Sequence, residues 1–105
     1  MAIKPKALPF FKQPAEEFTI AGKFNTVLLT GETIVAASST ITATDKDGTN
    51  VSTSVLSGKE VDGYYLKTTV YGGAVASSPY KITFVAVTSL GNTWEVDAKM
   101  HVVDV

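Results

Sequence analysis

The pattern of apolar and polar positions is clearest in the last third of the chain. Across residues 93–103 it has a period of two: Trp94, Val96, Ala98, Met100 and Val102 fall on one face, and Glu95, Asp97, Lys99 and His101 on the other. Alternation of this length predicts an antiparallel strand with one face on a core and one in water. Residues 79–89 place Tyr80, Ile82, Phe84 and Ala86 on one face with Lys81 and Thr83 opposite, and a Leu90-Gly91-Asn92 turn joins the two segments. They should form a hairpin.

Upstream, the same reading gives shorter strands between turn signals. Residues 64–71 alternate Leu66, Thr68 and Val70 against Tyr65, Lys67 and Thr69, and end at Gly72-Gly73. Residues 33–44 read as one long strand, with Val35, Ala37, Ile41 and Ala43 on one side and Thr40, Thr42 and Thr44 on the other. Asp45-Lys46-Asp47-Gly48 then makes a turn, because aspartate caps its own backbone and glycine supplies a positive φ. Residues 16–20 are a first strand, 51–56 a strand or edge segment, and 58–63 turn-rich. Residues 21–31 are irregular, with Phe24, Val27, Leu28 and Leu29 in a helical turn or loop that plugs one end of the core. About seven strands at roughly 8–12-residue spacing predict an all-β fold. The economical architecture is an immunoglobulin-like antiparallel β-sandwich, and an open barrel is the alternative.

Composition supports this and divides the chain. Val, Ile and Thr fill 32 of the 105 positions, and these β-branched residues favour pleated, half-buried surfaces. The length allows one domain. The net charge of −1 conceals a division: residues 1–15 hold three lysines, three prolines and no acid, whereas residues 16–105 hold six lysines against ten acids. The first fifteen residues read as an extended, Pro-rich basic arm, since each proline fixes its own φ and pushes its predecessor toward extended geometry. Residues 16–105 form the sandwich. Leu8, Phe10 and Phe11 are apolar side chains that so short an arm cannot bury alone, which makes them candidate partner-binding residues; the alternative is that the arm packs on its own sandwich or is disordered. With no cysteine there is no disulfide framework or thiolate metal site. The lack of arginine and the near-neutral charge argue against nucleic acid. No stretch has the ~20 apolar residues of a membrane span, and the proline-broken start does not resemble a signal peptide.

Catalytic chemistry finds no foothold. The single histidine, His101, falls on the outer face of the last strand, and Glu95 and Asp97 are interleaved there with Lys99. Glu16 and Glu17 are adjacent, so in a strand they point to opposite faces. Asp45-x-Asp47-Gly48 opens like a calcium loop but lacks the twelfth-position glutamate that would complete one. Gly72-Gly73 lacks the spacing and following helix of a phosphate loop. Trp94 and Tyr80 share faces with core aliphatics, which leaves Tyr65 and Tyr71 as candidate glycan-stacking rings. The sequence therefore predicts no enzyme, cofactor or metal site.

Three segments, taken in order, carry a family likeness. Gly31-Glu32-Thr33-Ile34 precedes a Thr-rich stretch, Gly72-Gly73 is followed by Tyr80-Lys81-Ile82-Thr83, and Thr88-Ser89-Leu90-Gly91-Asn92 precedes the alternating last strand. Over about residues 16–103 the chain resembles small immunoglobulin-like proteins from the structural modules of tailed bacteriophages and prophages, described as tail-associated or fibre-to-tail adaptors. That family has aspartate where this chain has Glu32, and often arginine at Asn92. The resemblance implies a non-enzymatic virion structural or adaptor protein, assembled in the bacterial cytoplasm. It would act through protein–protein contacts with other virion structural proteins, a homo-oligomer included, without nucleic acid or membrane. A carbohydrate-binding or adhesion module of the same fold is the alternative, and a small regulatory or enzyme-inhibiting domain a further class.

Overall fold

A computed structural model describes residues 9–104. Its strands are β1 (Phe10–Lys12), β2 (Phe18–Lys23), β3 (Thr40–Thr44), β4 (Leu56–Asp62), β5 (Tyr65–Val70), β6 (Tyr80–Val87) and β7 (Thr93–Val102), with one α-helical turn, α1 (Ser52–Val55), between β3 and β4 and 3-10 turns at Ala36–Ser38 and Val75–Ser77. They form a four-stranded sheet in the order β1-β7-β6-β3 and a three-stranded sheet in the order β2-β5-β4. All neighbours are antiparallel except β1, which runs parallel to β7. Strands two, five and four facing strands three, six and seven is the division of an immunoglobulin sandwich, with the first strand crossing over to lie beside the last.

The alternation read from the sequence supplies the core. Tyr80, Ile82, Phe84 and Ala86 of β6, Val96, Ala98, Met100 and Val102 of β7, and Leu66 and Val70 of β5 are all buried. β6 and β7 pair as the expected hairpin from Tyr80↔Met100 to Val87↔Thr93. Tyr80 stands at the start of the sixth strand, and its hydroxyl accepts the N–H of Ala74 at 2.8 Å. This is the tyrosine corner of immunoglobulin-like sandwiches. Two residues on, Ile82 is fully buried, so packing holds the sheets together where antibody domains use a disulfide. Across the core, Gly22 of β2 lies under the Phe84 ring.

Several expected boundaries differ, each for a local reason. The strand expected over residues 33–44 is confined to β3: Ser39 Oγ donates to Val35 O and accepts Val87 N–H, which folds Ala36–Ser38 into a 3-10 turn. Residues 52–55 are helical because Asn50 Oδ1 caps both the N–H and the hydroxyl of Ser52. Residues 58–63, expected to be turn-rich, lie largely in β4. A bulge between Ser57 and Glu60 places Gly58 at φ +79°, and Thr68 Oγ1 fastens it by donating to Gly58 O at 2.6 Å. The first strand of the sandwich body runs on to Lys23. Phe24 and Val27 do plug one end of the core, but Leu29 points outward and is 63% exposed.

The N-terminal segment contributes β1, whose Phe10, Phe11 and Lys12 pair with Met100, His101 and Val102. Lys12 is buried, and its ammonium donates to the carbonyls of Gln13 and Pro14 at 3.0 and 3.1 Å.

Two glycines should separate by what they touch. A Cβ on Gly22 would meet Phe84 Cγ at 2.8 Å, whereas on Gly72 it would lie 1.9 Å from the backbone carbonyl oxygen of Ser54. Gly22→Ala should cost about 1–3 kcal/mol by overpacking, and Gly72→Ala more, because a backbone cannot yield as a ring can. Urea denaturation of both variants checks the order.

Candidate functional site

β1 builds the first exposed feature. Its pairing turns Phe10 inward, where the ring meets Phe18 edge-on at 5.9 Å, and Phe11 outward, where it stacks on His101 at 5.2 Å. Phe11 is nevertheless 67% exposed. Beside it an apolar groove of about 400 Å³ opens between β1 and β2, lined by Phe10, Phe11, Ile20, Phe84 and Ala98. Leu8 lies outside the described residues.

The second feature lies at the other end of β7, where two of the three family-like segments meet. Thr33 N–H donates to Ser89 Oγ at 3.0 Å, Ser89 N–H donates to Thr33 O at 2.8 Å, and Ile34 and Thr88 form a β-bridge. Glu32 is buried beneath them. One carboxylate oxygen accepts the Leu29 N–H at 2.9 Å; the other accepts the Asn92 side-chain amide at 2.9 Å and the Thr88 hydroxyl. These bonds, the Thr88 hydroxyl first, hold the Glu32 carboxyl below its ordinary range against the opposing effect of burial. The loop between β2 and β3 is thereby tied to the β6–β7 turn. Sequence reading assigned Glu32 no role, although it is the only charged residue in positions 24–39. The third segment is steric: Gly73, at φ +122°, lies against Val102, Met100 and Tyr80.

The remaining candidates are dispersed. Tyr65 is half-buried at the start of β5, with its ring 4.9 Å from Tyr64, while Tyr71 follows the far end of that strand. Tyr71 donates its hydroxyl to Thr53 O and lines an open depression with Glu17, Ser57 and Thr69. Asp45 Oδ1 is occupied by the N–H groups of Asp47 and Thr49, so this carboxylate serves the turn. Among the described residues no group of three His, Cys, Asp or Glu side chains could hold a metal. The exposed large hydrophobic side chains fall at the two ends of the sandwich: Leu29, Tyr64 and Leu90 at the end with the β6–β7 turn, and Phe11, Tyr71 and Val75 at the other.

The β-sandwich keeps Asp45 in a turn and Glu32 in a clamp and carries its exposed large apolar side chains at its two ends, the make-up of a structural domain. Residues 12–101 match the family model described as "Podophage GP4 fiber-tail adaptor protein gp77", and the chain belongs to that family of phage tail-associated adaptors. Comparison with curated proteins gives no match. The family match begins at Lys12, after Phe10 and Phe11.

The Glu32 clamp has a pH signature. Its carboxyl ionises more readily in the folded chain, so the unfolded chain takes up the proton first as the solution is acidified. Its stabilising contribution should be complete above the ordinary value of 4.5 and lost as the pH falls through the lowered one. Melting temperature against pH should therefore drop more steeply below about pH 4.5 in the wild type than in Glu32→Gln, whose side chain does not titrate.

Proposed function

We propose that the chain is a non-enzymatic structural adaptor of a phage virion, assembled in the bacterial cytoplasm, that joins tail and fibre proteins by direct protein–protein contact. Membership of the fibre-tail adaptor family supports the adaptor role. The observation that carries the mode of action is Phe11: a large ring two-thirds exposed, yet held in one orientation by strand pairing and by stacking on His101. A ring fixed before binding loses little side-chain freedom when a partner covers it. Full burial of such a side chain contributes about 1.5–3 kcal/mol, enough for an interface hot spot. Of the other two candidates, Phe10 packs on the core beside Phe18 and supports the strand that presents Phe11, and Leu8 is proposed to extend the contact; residues 1–15 act as the arm that carries it, with the body at residues 16–105.

Particles assembled with the full-length Phe11→Ser chain test the reading. An exposed substitution should leave folding stability within about 0.5 kcal/mol of wild type. Losing the ring should weaken the partner contact by about ten- to a hundredfold, and the adaptor should disappear from gradient-purified particles or leave them without one neighbouring protein. Wild-type composition of those particles contradicts the arm contact.

A further inference from the structure

We infer that the opposite end of the sandwich, presenting Leu29 and Leu90, is a second docking face, and that its occupant is an uncharged apolar surface of a partner protein. The inference rests on the adaptor reading above, since a bridging protein needs two separate contacts. Phe11 pairs with His101 near the end of β7, whereas Leu90 lies in the turn before that strand begins. The intervening run of about ten residues spans roughly 30 Å at strand rise, most of the long axis of a molecule 43 Å in extent. One partner surface of ordinary size cannot readily cover both ends.

Three observations make the second end a docking face. Leu29 and Leu90 are 63% and 59% exposed on two different loops. Those loops are not independent, because Glu32 bonds the Leu29 N–H on one side and Thr88 and Asn92 on the other, while Thr33 and Ser89 exchange two further bonds. The leucines are thus presented on a fixed platform, which lowers the ordering cost of binding. Charge then selects the occupant. Residues 24–39 and 88–93 contain no lysine, arginine, histidine or aspartate, and their one glutamate is buried in the clamp. The exposed polar residues of these loops include Asn25, Thr26, Thr30, Ser89 and Asn92. A phosphate backbone or an anionic lipid surface would find no cation on these two loops, and among the described residues at this end only Lys23, at the end of β2, beside the β4–β5 turn that carries Asp62. An uncharged protein face can bury both leucines without stranding a charge.

The test uses the full chain carrying Leu29→Ser and Leu90→Ser together, beside Phe11→Ser, in particles purified on a gradient and analysed for their own structural proteins. The double variant should melt within about 4 °C of wild type. It should lose, at least tenfold, a structural protein that Phe11→Ser retains. Loss of that protein by the double variant while Phe11→Ser particles are complete supports this face and removes the arm contact. Complete particles from the double variant, or loss of only the protein that Phe11→Ser also loses, overturn the second face. Binding of the isolated partner should change less than about twofold between 0.05 and 0.5 M salt, and a tenfold fall overturns the uncharged occupant. A wild-type dimer that the double substitution makes monomeric overturns it in favour of a second copy.

Discussion

Burial of one face of the β6–β7 hairpin against the three-stranded sheet is the constraint on which the other features depend. The chain has no disulfide to join its sheets, so the alternating residues of these two strands have to do so by packing. Phe84 requires glycine at position 22, and Met100 and Val102 press on Gly73. Tyr80 anchors the crossing from β5 by accepting the Ala74 N–H. β3 is added to one edge of the hairpin and β1 to the other. The hairpin also fixes the separation of the two ends, because Phe11 pairs with His101 near the end of β7 and Leu90 lies in the turn that connects β6 to β7.

This geometry suits an adaptor. A sandwich transmits position along its strands with little deformation, so side chains at opposite ends of β7 stay at a fixed distance and orientation. The two ends differ in chemistry as well. At the end with the β6–β7 turn, the two loops that present Leu29 and Leu90 are uncharged apart from a buried, hydrogen-bonded carboxylate, and the exposed charges Lys23 and Asp62 flank Tyr65 at the edge of that end, whereas the other end carries Glu16, Glu17, Asp45 and Asp47 with Lys46. Contacts of unlike chemistry discriminate between partners, because a partner suited to one end meets unpaired charge or lost apolar contact at the other.

The fold was legible wherever burial alone sets the pattern. In β5, β6 and β7 one face is buried and the other solvated, so a period of two appears directly in the sequence. It was illegible where a polar side chain competes with the ladder: Ser39 bends residues 36–38, Asn50 winds residues 52–55, and Thr68 holds a bulge open at Gly58. The fibre-tail adaptor family was legible in three short segments, but not the reason two of them matter, since the Thr88 and Asn92 partners of Glu32 lie 56 and 60 residues along the chain. Buried Lys12 was hidden likewise, because a lysine in a basic, proline-rich stretch looks solvated until its ammonium is seen on two backbone carbonyls.

Site-specific photo-cross-linking within the assembled particle tests the two-ended account most directly, with a photoreactive phenylalanine analogue placed once at Phe11 and once at Leu29. The account predicts adducts to two different structural proteins, one from each position. Adducts to the same protein from both positions, or from neither while a probe on the outer face of β5 reacts, would contradict it.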